Sequence, residues 1–142
     1  MKTLALDLGD RWVGTAISDP LGISCRPYET VEFDNLDGFL EKILKKESIN
    51  TVVVGNPKTV STGGDSDQTR KIIKLKQNLE EKFGKVEGQE IVWVLWDERL
   101  SSKRAESLKG RARSKEEKIR SHSVAASFIL QSYLDNQAFK RG

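Results

Sequence analysis

Leu4-Ala5-Leu6-Asp7-Leu8, then Gly9-Asp10-Arg11, then Trp12-Val13-Gly14-Thr15-Ala16-Ile17-Ser18: this stretch decides the fold. Two apolar runs flank a short glycine-containing turn, which is the pattern of a β-hairpin. Within the first run sits one carboxylate, Asp7. A charge buried there without a partner is heavily penalised. Something must offset that penalty. A metal ion in a cleft at the strand's end is the reading that carries chemistry. The alternative is that hydrogen bonds satisfy Asp7 within the fold.

Outward from the hairpin, Ile23 to Phe33 reads as a third strand interrupted by Pro27, so an antiparallel meander leads the chain. Residues 36–46 place Leu36, Phe39, Leu40, Ile43 and Leu44 at helical spacing. Thr51-Val52-Val53-Val54 is a short buried strand ended by Gly55-Asn56-Pro57. Gln68 to Phe83 predicts a second helix, with Ile72, Leu75, Leu79 and Phe83 on one face and Asp65 or Ser66 as N-cap. Ile91 to Trp96 is a strand, and Ser101 to Leu108 a short helix stopped by Gly110. Ser114-Lys115-Glu116-Glu117 fits a capping box that opens a last helix running to about Leu134. This order predicts an α/β fold: a mixed central sheet, three leading antiparallel strands, and helices on both faces. Residues 1–142 read as a single domain, without repeats or low-complexity tracts.

Composition narrows the function. The chain is 37% hydrophobic and 32% charged, which is globular rather than disordered. No apolar run approaches the ~20 residues that span a bilayer, and the first residues form a strand rather than a secretory leader. No membrane partner is expected. Cys25 is the only cysteine; with no internal disulfide possible, a cytoplasmic location is expected. Nothing near Cys25 in sequence activates it as a nucleophile, so it reads as a strand residue. The net charge is +3 and the pI near 9.0. Much of the excess crowds one stretch: Arg99, Lys103, Arg104, Lys109, Arg111, Arg113, Lys115, Lys118 and Arg120. Such a run is either a solvated face or a contact for a polyanion.

Asp97-Glu98 ends a strand that should neighbour the first. Functional groups gather at the carboxyl ends of parallel strands. Adjacent strand residues point to opposite faces, so only one of Asp97 and Glu98 can share a face with Asp7. Two carboxylates at neighbouring strand ends make an oxygen-rich site suited to Mg²⁺ or Mn²⁺.

Four segments in order resemble the YqgF (RuvX) family. They are Leu6-Asp7-Leu8-Gly9 with Val13 to Asp19; Val54-Gly55-Asn56-Pro57 with Gly63-Gly64; Asp97-Glu98-Arg99-Leu100-Ser101-Ser102; and Ser123-Val124-Ala125-Ala126 through Leu134. The resemblance implies an RNase H-like fold. It also implies a metal-dependent nuclease that resolves Holliday junctions or matures the precursor of the small-subunit ribosomal RNA. In such folds two cations sit roughly 3.5–4 Å apart across the scissile phosphate. By motif position Asp7 is the first ligand and Glu98 the second. The family's third acid precedes the Ala-Ala pair, and here that position is His122, the only histidine. Asp7, Glu98 and His122 are therefore the expected catalytic and metal-ligating residues. His122 shares a helical stripe with Ile119, Ala126, Ile129 and Tyr133, which turns it inward. A neutral imidazole can hold a borderline metal but adds no negative charge. Asp19 and Asp97 are possible substitutes for the missing acid.

Affinity for RNA or branched DNA would come from phosphate contacts by Arg11, Arg99, Lys103, Arg104, Arg111, Arg113 and Lys115. Trp93 and Trp96 could stack on bases, though packing in their strand is the simpler reading. The segment with Gly63-Gly64 is either a plain loop or a lid over the site. The rival to a nuclease is a nucleic-acid-binding module of the same fold, weakened or disabled by His122. An actin-like phosphotransferase needs two such domains, more than 142 residues hold.

Overall fold

The computed structural model describes residues 1–56, 67–97 and 114–141. Strands β1 (Lys2–Leu8), β2 (Trp12–Ser18) and β3 (Cys25–Glu32) form the expected meander. A 3-10 turn (Phe33–Asn35) leads into α1 (Leu36–Lys46), and β4 (Ile49–Asn56) follows. Helix α2 (Asp67–Phe83), strands β5 (Lys85–Val86), β6 (Gln89–Glu90) and β7 (Val92–Asp97), and helix α3 (Lys115–Arg141) complete the described elements. The main sheet has the order β3-β2-β1-β4-β7. β1 pairs antiparallel with β2 and parallel with β4, and β4 pairs parallel with β7.

The pleat sorts the side chains into two cores. Leu4, Leu6, Val13, Ile17, Val52 and Val54 face α1 and α2, and with Leu40, Ile43, Ile72 and Trp93 they make the larger cluster. Ala5, Ala16 and Val53 face the other way, against Ala126, Ile129, Leu130 and Leu134 of α3. Small residues on that face let α3 lie close to the sheet. Gly14 is the extreme case: a Cβ built on it would collide with the carbonyl of His122 and lie 2.7 Å from the nitrogen of Ser123. Here the helix backbone rests directly on the strand.

Three features differ from the sequence reading. Helix α3 continues to Arg141, past its last buried residue, Leu134. The apolar stripe ends there, but no glycine or proline stops the helix. A two-residue hairpin joins β5 to β6 through Glu87 (φ 52°) and Gly88 (φ 83°), both left-handed, as a primed turn requires. Pro27 does not break β3. It pairs with Ala16 beside a β-bulge in which Tyr28 and Glu29 together oppose Thr15. The expected short helix over Ser101 to Leu108, the Gly63-Gly64 segment and the Asp65 or Ser66 cap lie outside the described residues. None of the helices among the described residues is long and apolar enough to cross a membrane.

Candidate active site

The site is built on one row of the sheet. Asp7 pairs with Gly14, and Gly14 pairs with Thr30. Cross-strand partners point to the same face, so all three address α3. Asp7 is half-buried near the carboxyl end of β1. Gly14 leaves room for the α3 backbone at His122. The Thr30 hydroxyl donates to the carbonyl oxygen of Ile119 at 2.8 Å, one turn earlier on α3. The structure thus brings Asp7 and half-buried His122 to the same row from opposite ends of the sequence.

The start of α3 explains how His122 reaches that row. The Ser114 side chain accepts from the Glu117 amide at 3.0 Å, and its carbonyl accepts from the Lys118 amide at 3.0 Å. Ser114 is therefore the N-cap that the sequence pattern predicted. Lys115 follows it and is exposed. Arg11 is also exposed, in the turn after β1, with its guanidinium 5.4 Å from the centre of the Trp12 ring. Asp10 in the same turn accepts a hydrogen bond from Lys71 of α2 at 2.8 Å, which holds its carboxyl below the usual range.

The expected second ligand, Glu98, and Arg99, Lys103, Arg104, Arg111 and Arg113 of the basic stretch lie outside the described residues. Both substitutes for the third acid are corrected. Asp97 pairs with Asn56 at the ends of β7 and β4. Its neighbour Trp96 faces α3 and donates from Nε1 to the Ser132 hydroxyl at 3.1 Å. Asp97 therefore points to the α1/α2 face, away from Asp7. Asp19 lies past the far end of β2, about 17 Å along the strand from Gly14 at 3.3–3.4 Å per residue. Its carboxylate accepts from the amides of Leu21, Ile23 and Ser24 and from the Ser24 hydroxyl. The Ser24 hydroxyl and amide, aided by the other amides, pull its carboxyl from 3.8 to about 2. Asp19 is a loop cap.

The tryptophans are structural. Trp93 is buried and donates to the carbonyl of Phe83 at 3.2 Å, and Trp96 stacks edge-on against Tyr133 at 5.4 Å. The sequence reading missed Thr30, because the pairing with Gly14 that turns it toward α3 has no local signature. Asn56, which the second motif contains, has its side-chain oxygen buried without a hydrogen-bond partner at the end of β4. Among the described residues no three His, Cys, Asp or Glu groups cluster for a metal.

A family model described as "RuvX: Holliday junction resolvase" matches residues 1–136. The chain belongs to the RuvX family. Similarity within the RuvX family spans nearly the whole chain. A protein of Caldicellulosiruptor bescii is 40% identical over 138 residues, covering 95% of this chain and 96% of its own length. One of Rubrobacter xylanophilus is 35% identical over 136 residues, covering 94% and 92%. Both bear the name "Putative pre-16S rRNA nuclease". RuvX membership thus places the chain in a nuclease family, hydrolases acting on ester bonds. The Thermus thermophilus RuvC structure shares the fold, with a TM-score of 0.56 at 11% identity over 98% of this chain and 97% of that one. RuvC from the same organism in complex with a Holliday junction substrate gives 0.57 at 10% identity over 97% and 96%. This RuvX-family sheet is therefore the RNase H-like sheet expected from the motifs.

Proposed function

We propose that the chain is a metal-dependent endonuclease that hydrolyses phosphodiester bonds in structured nucleic acid, with precursor 16S ribosomal RNA as first substrate. The Asp7–Gly14–Thr30 row carries this reading: an acid at the end of the first strand, with the helix bearing His122 seated beside it. The relatives' names favour ribosomal RNA. The family description favours branched DNA as a second reading. Residues 1–142 act as one domain in this proposal.

The donor types at this end of the sheet suit a divalent cation: Asp7 is a half-buried carboxylate, and the backbone of His122 lies against the same row. Asp7 and His122 would hold it, with Glu98 joining by motif position. When bound it supplies a Lewis acid for the phosphate and an activated water. The chain's own residues do the rest. Asp7 contributes the negative charge. His122 in its neutral form offers a nitrogen lone pair, which favours Mn²⁺ over Mg²⁺ relative to an all-carboxylate set. Arg11 in the turn after β1 and Lys115 in the first turn of α3 are both exposed, which supports the proposal that they contact phosphates. Arg99, Lys103, Arg104, Arg111 and Arg113 complete the proposed contact surface.

The test is cleavage of a precursor 16S rRNA beside a four-way DNA junction, in Mg²⁺, Mn²⁺ and chelator. Wild type is expected to cut with metal only. Asp7→Asn is expected to cut at least about 100-fold more slowly, near 2.7 kcal/mol in the barrier at 1.36 kcal/mol per decade. Mn²⁺ should raise the melting temperature of wild type and not of Asp7→Ala. Tight binding without cleavage in either metal would establish the rival, a binding module. Equal cleavage by Asp7→Asn would remove Asp7 from the site.

A further inference from the structure

Two side chains of β3 donate to carbonyls of α3: Thr30 Oγ1 to Ile119 at 2.8 Å, and Cys25 Sγ to Ser127 at 3.2 Å. They are five residues apart. In an unbroken strand an odd separation puts two side chains on opposite faces, so both could not reach one helix. The bulge resolves this. Gly14 pairs with Thr30 and Ala16 with Pro27, so Thr15 alone faces Tyr28 and Glu29. The extra residue shifts the alternation by one and returns Cys25 to the α3 face. Thr15 fixes the bulge: its hydroxyl donates to the carbonyl of Glu29 at 2.6 Å and accepts from the Glu29 amide at 2.9 Å. Thr15 is fully buried, so water does not compete for those bonds.

Of the two clamps, Thr30 is the one in the Asp7 row. It grips α3 one turn before His122, on the far side of Gly14 from Asp7. Gly14 sets how close the helix lies, because any Cβ there meets the His122 carbonyl. That close contact does not by itself fix how far the helix sits along the strand or how it is rotated about its axis at His122. A donor locked onto one named carbonyl removes that freedom. We propose that Thr30 is a positioning residue, which through its bond to Ile119 fixes the rotation of α3 and so the placement of His122 against Asp7.

The kinetic arm of the test rests on the nuclease reading, and a spectroscopic arm does not. Thr30→Val keeps the shape and removes the donor, and Thr30→Ser keeps the donor. In the active enzyme Thr30→Val is expected to lower kcat about tenfold with KM within about twofold, and Thr30→Ser to restore it. In a His122→Ala background Thr30→Val should cost nothing further, because its effect runs through the imidazole. A full tenfold loss in that background would overturn the proposal, as would an unchanged kcat in Thr30→Val. His122 is the sole histidine, so its ring proton resonances form an isolated NMR reporter. Thr30→Val should move them, while Thr30→Ser and Cys25→Ala, a change at the other clamp, should not. Unmoved ring signals in Thr30→Val would overturn the proposal even if no nuclease activity is found.

Discussion

Cys25 shows at the scale of one residue how the environment decides chemistry. Burial, reinforced by the carboxylates of Asp135 and Asp19, pushes its thiol from the ordinary 9.0 up to about 11. The folded state keeps the proton where the unfolded chain would release it. Cys25 thus stabilises the fold fully below pH 9, and that contribution is lost as pH rises from about 9 to 11. Melting temperature should fall with pH in that window for wild type, and Cys25→Ala should lack that part of the fall. A parallel decline in both proteins would show that the thiol titrates as in water. The sequence excluded Cys25 as a nucleophile because nothing activates it, and the raised pKa agrees. Asp7 was readable for the opposite reason, being a charge inside an apolar run. Asp19 was misjudged as a possible ligand because its task is local. It caps the turn Leu21-Gly22-Ile23-Ser24 through backbone amides, and a sequence shows the carboxylate but not the amides aimed at it.

At the scale of elements, the β2–α3 contact sets the strictest condition. Gly14→Ala puts a methyl group into the His122 carbonyl, and neither partner is the movable end of a side chain. The expected loss is about 3 kcal/mol, at the upper end for overpacking, because two backbones must separate. Urea unfolding measures it, and a loss under about 1 kcal/mol would show that α3 can ride outward on the sheet. This contact lies between residues far apart in the chain, so no local pattern announces Gly14 as special. Elements with a periodic signal were legible: β1, β2, α1, α2 and the Ser114 cap fall within a residue or two of expectation. The bulge at Thr15 was not, because two residues opposite one is a property of a pairing and not of either strand.

The whole molecule is polar in the literal sense. Among the described residues the exposed large apolar side chains, Met1, Leu21, Ile23, Val92 and Phe139, cluster at the end where β1, β4 and β7 begin and α3 finishes. Asp7, Arg11, His122 and Lys115 lie toward the other end. Nucleic-acid binding is therefore expected to depend on the basic stretch of the sequence and not on charge at the apolar end. Neutralising Arg111, Arg113 and Lys115 should flatten the log-affinity against log-salt slope by roughly 0.7–0.9 for each phosphate that no longer meets a cation. Lys140→Gln, at the apolar end, should leave the slope unchanged. Equal slopes for the two variants would mean that the basic stretch is only a solvated face. At this scale the fold was the most legible property. The β-β-β-α-β order leaves few ways to arrange a sheet, and the α3 face of small residues matches one close-packed helix.

The clamp between Thr30 and Ile119 joins residues 89 positions apart. A ribosome adding roughly 5–20 residues per second needs about 4–18 s to make that stretch. During that time the meander exists while the helix that covers Ala5, Ala16 and Val53 does not. Asp7 is made well before His122. On the proposed reading of the site, the growing chain therefore carries the acid without its partner until α3 has been synthesised.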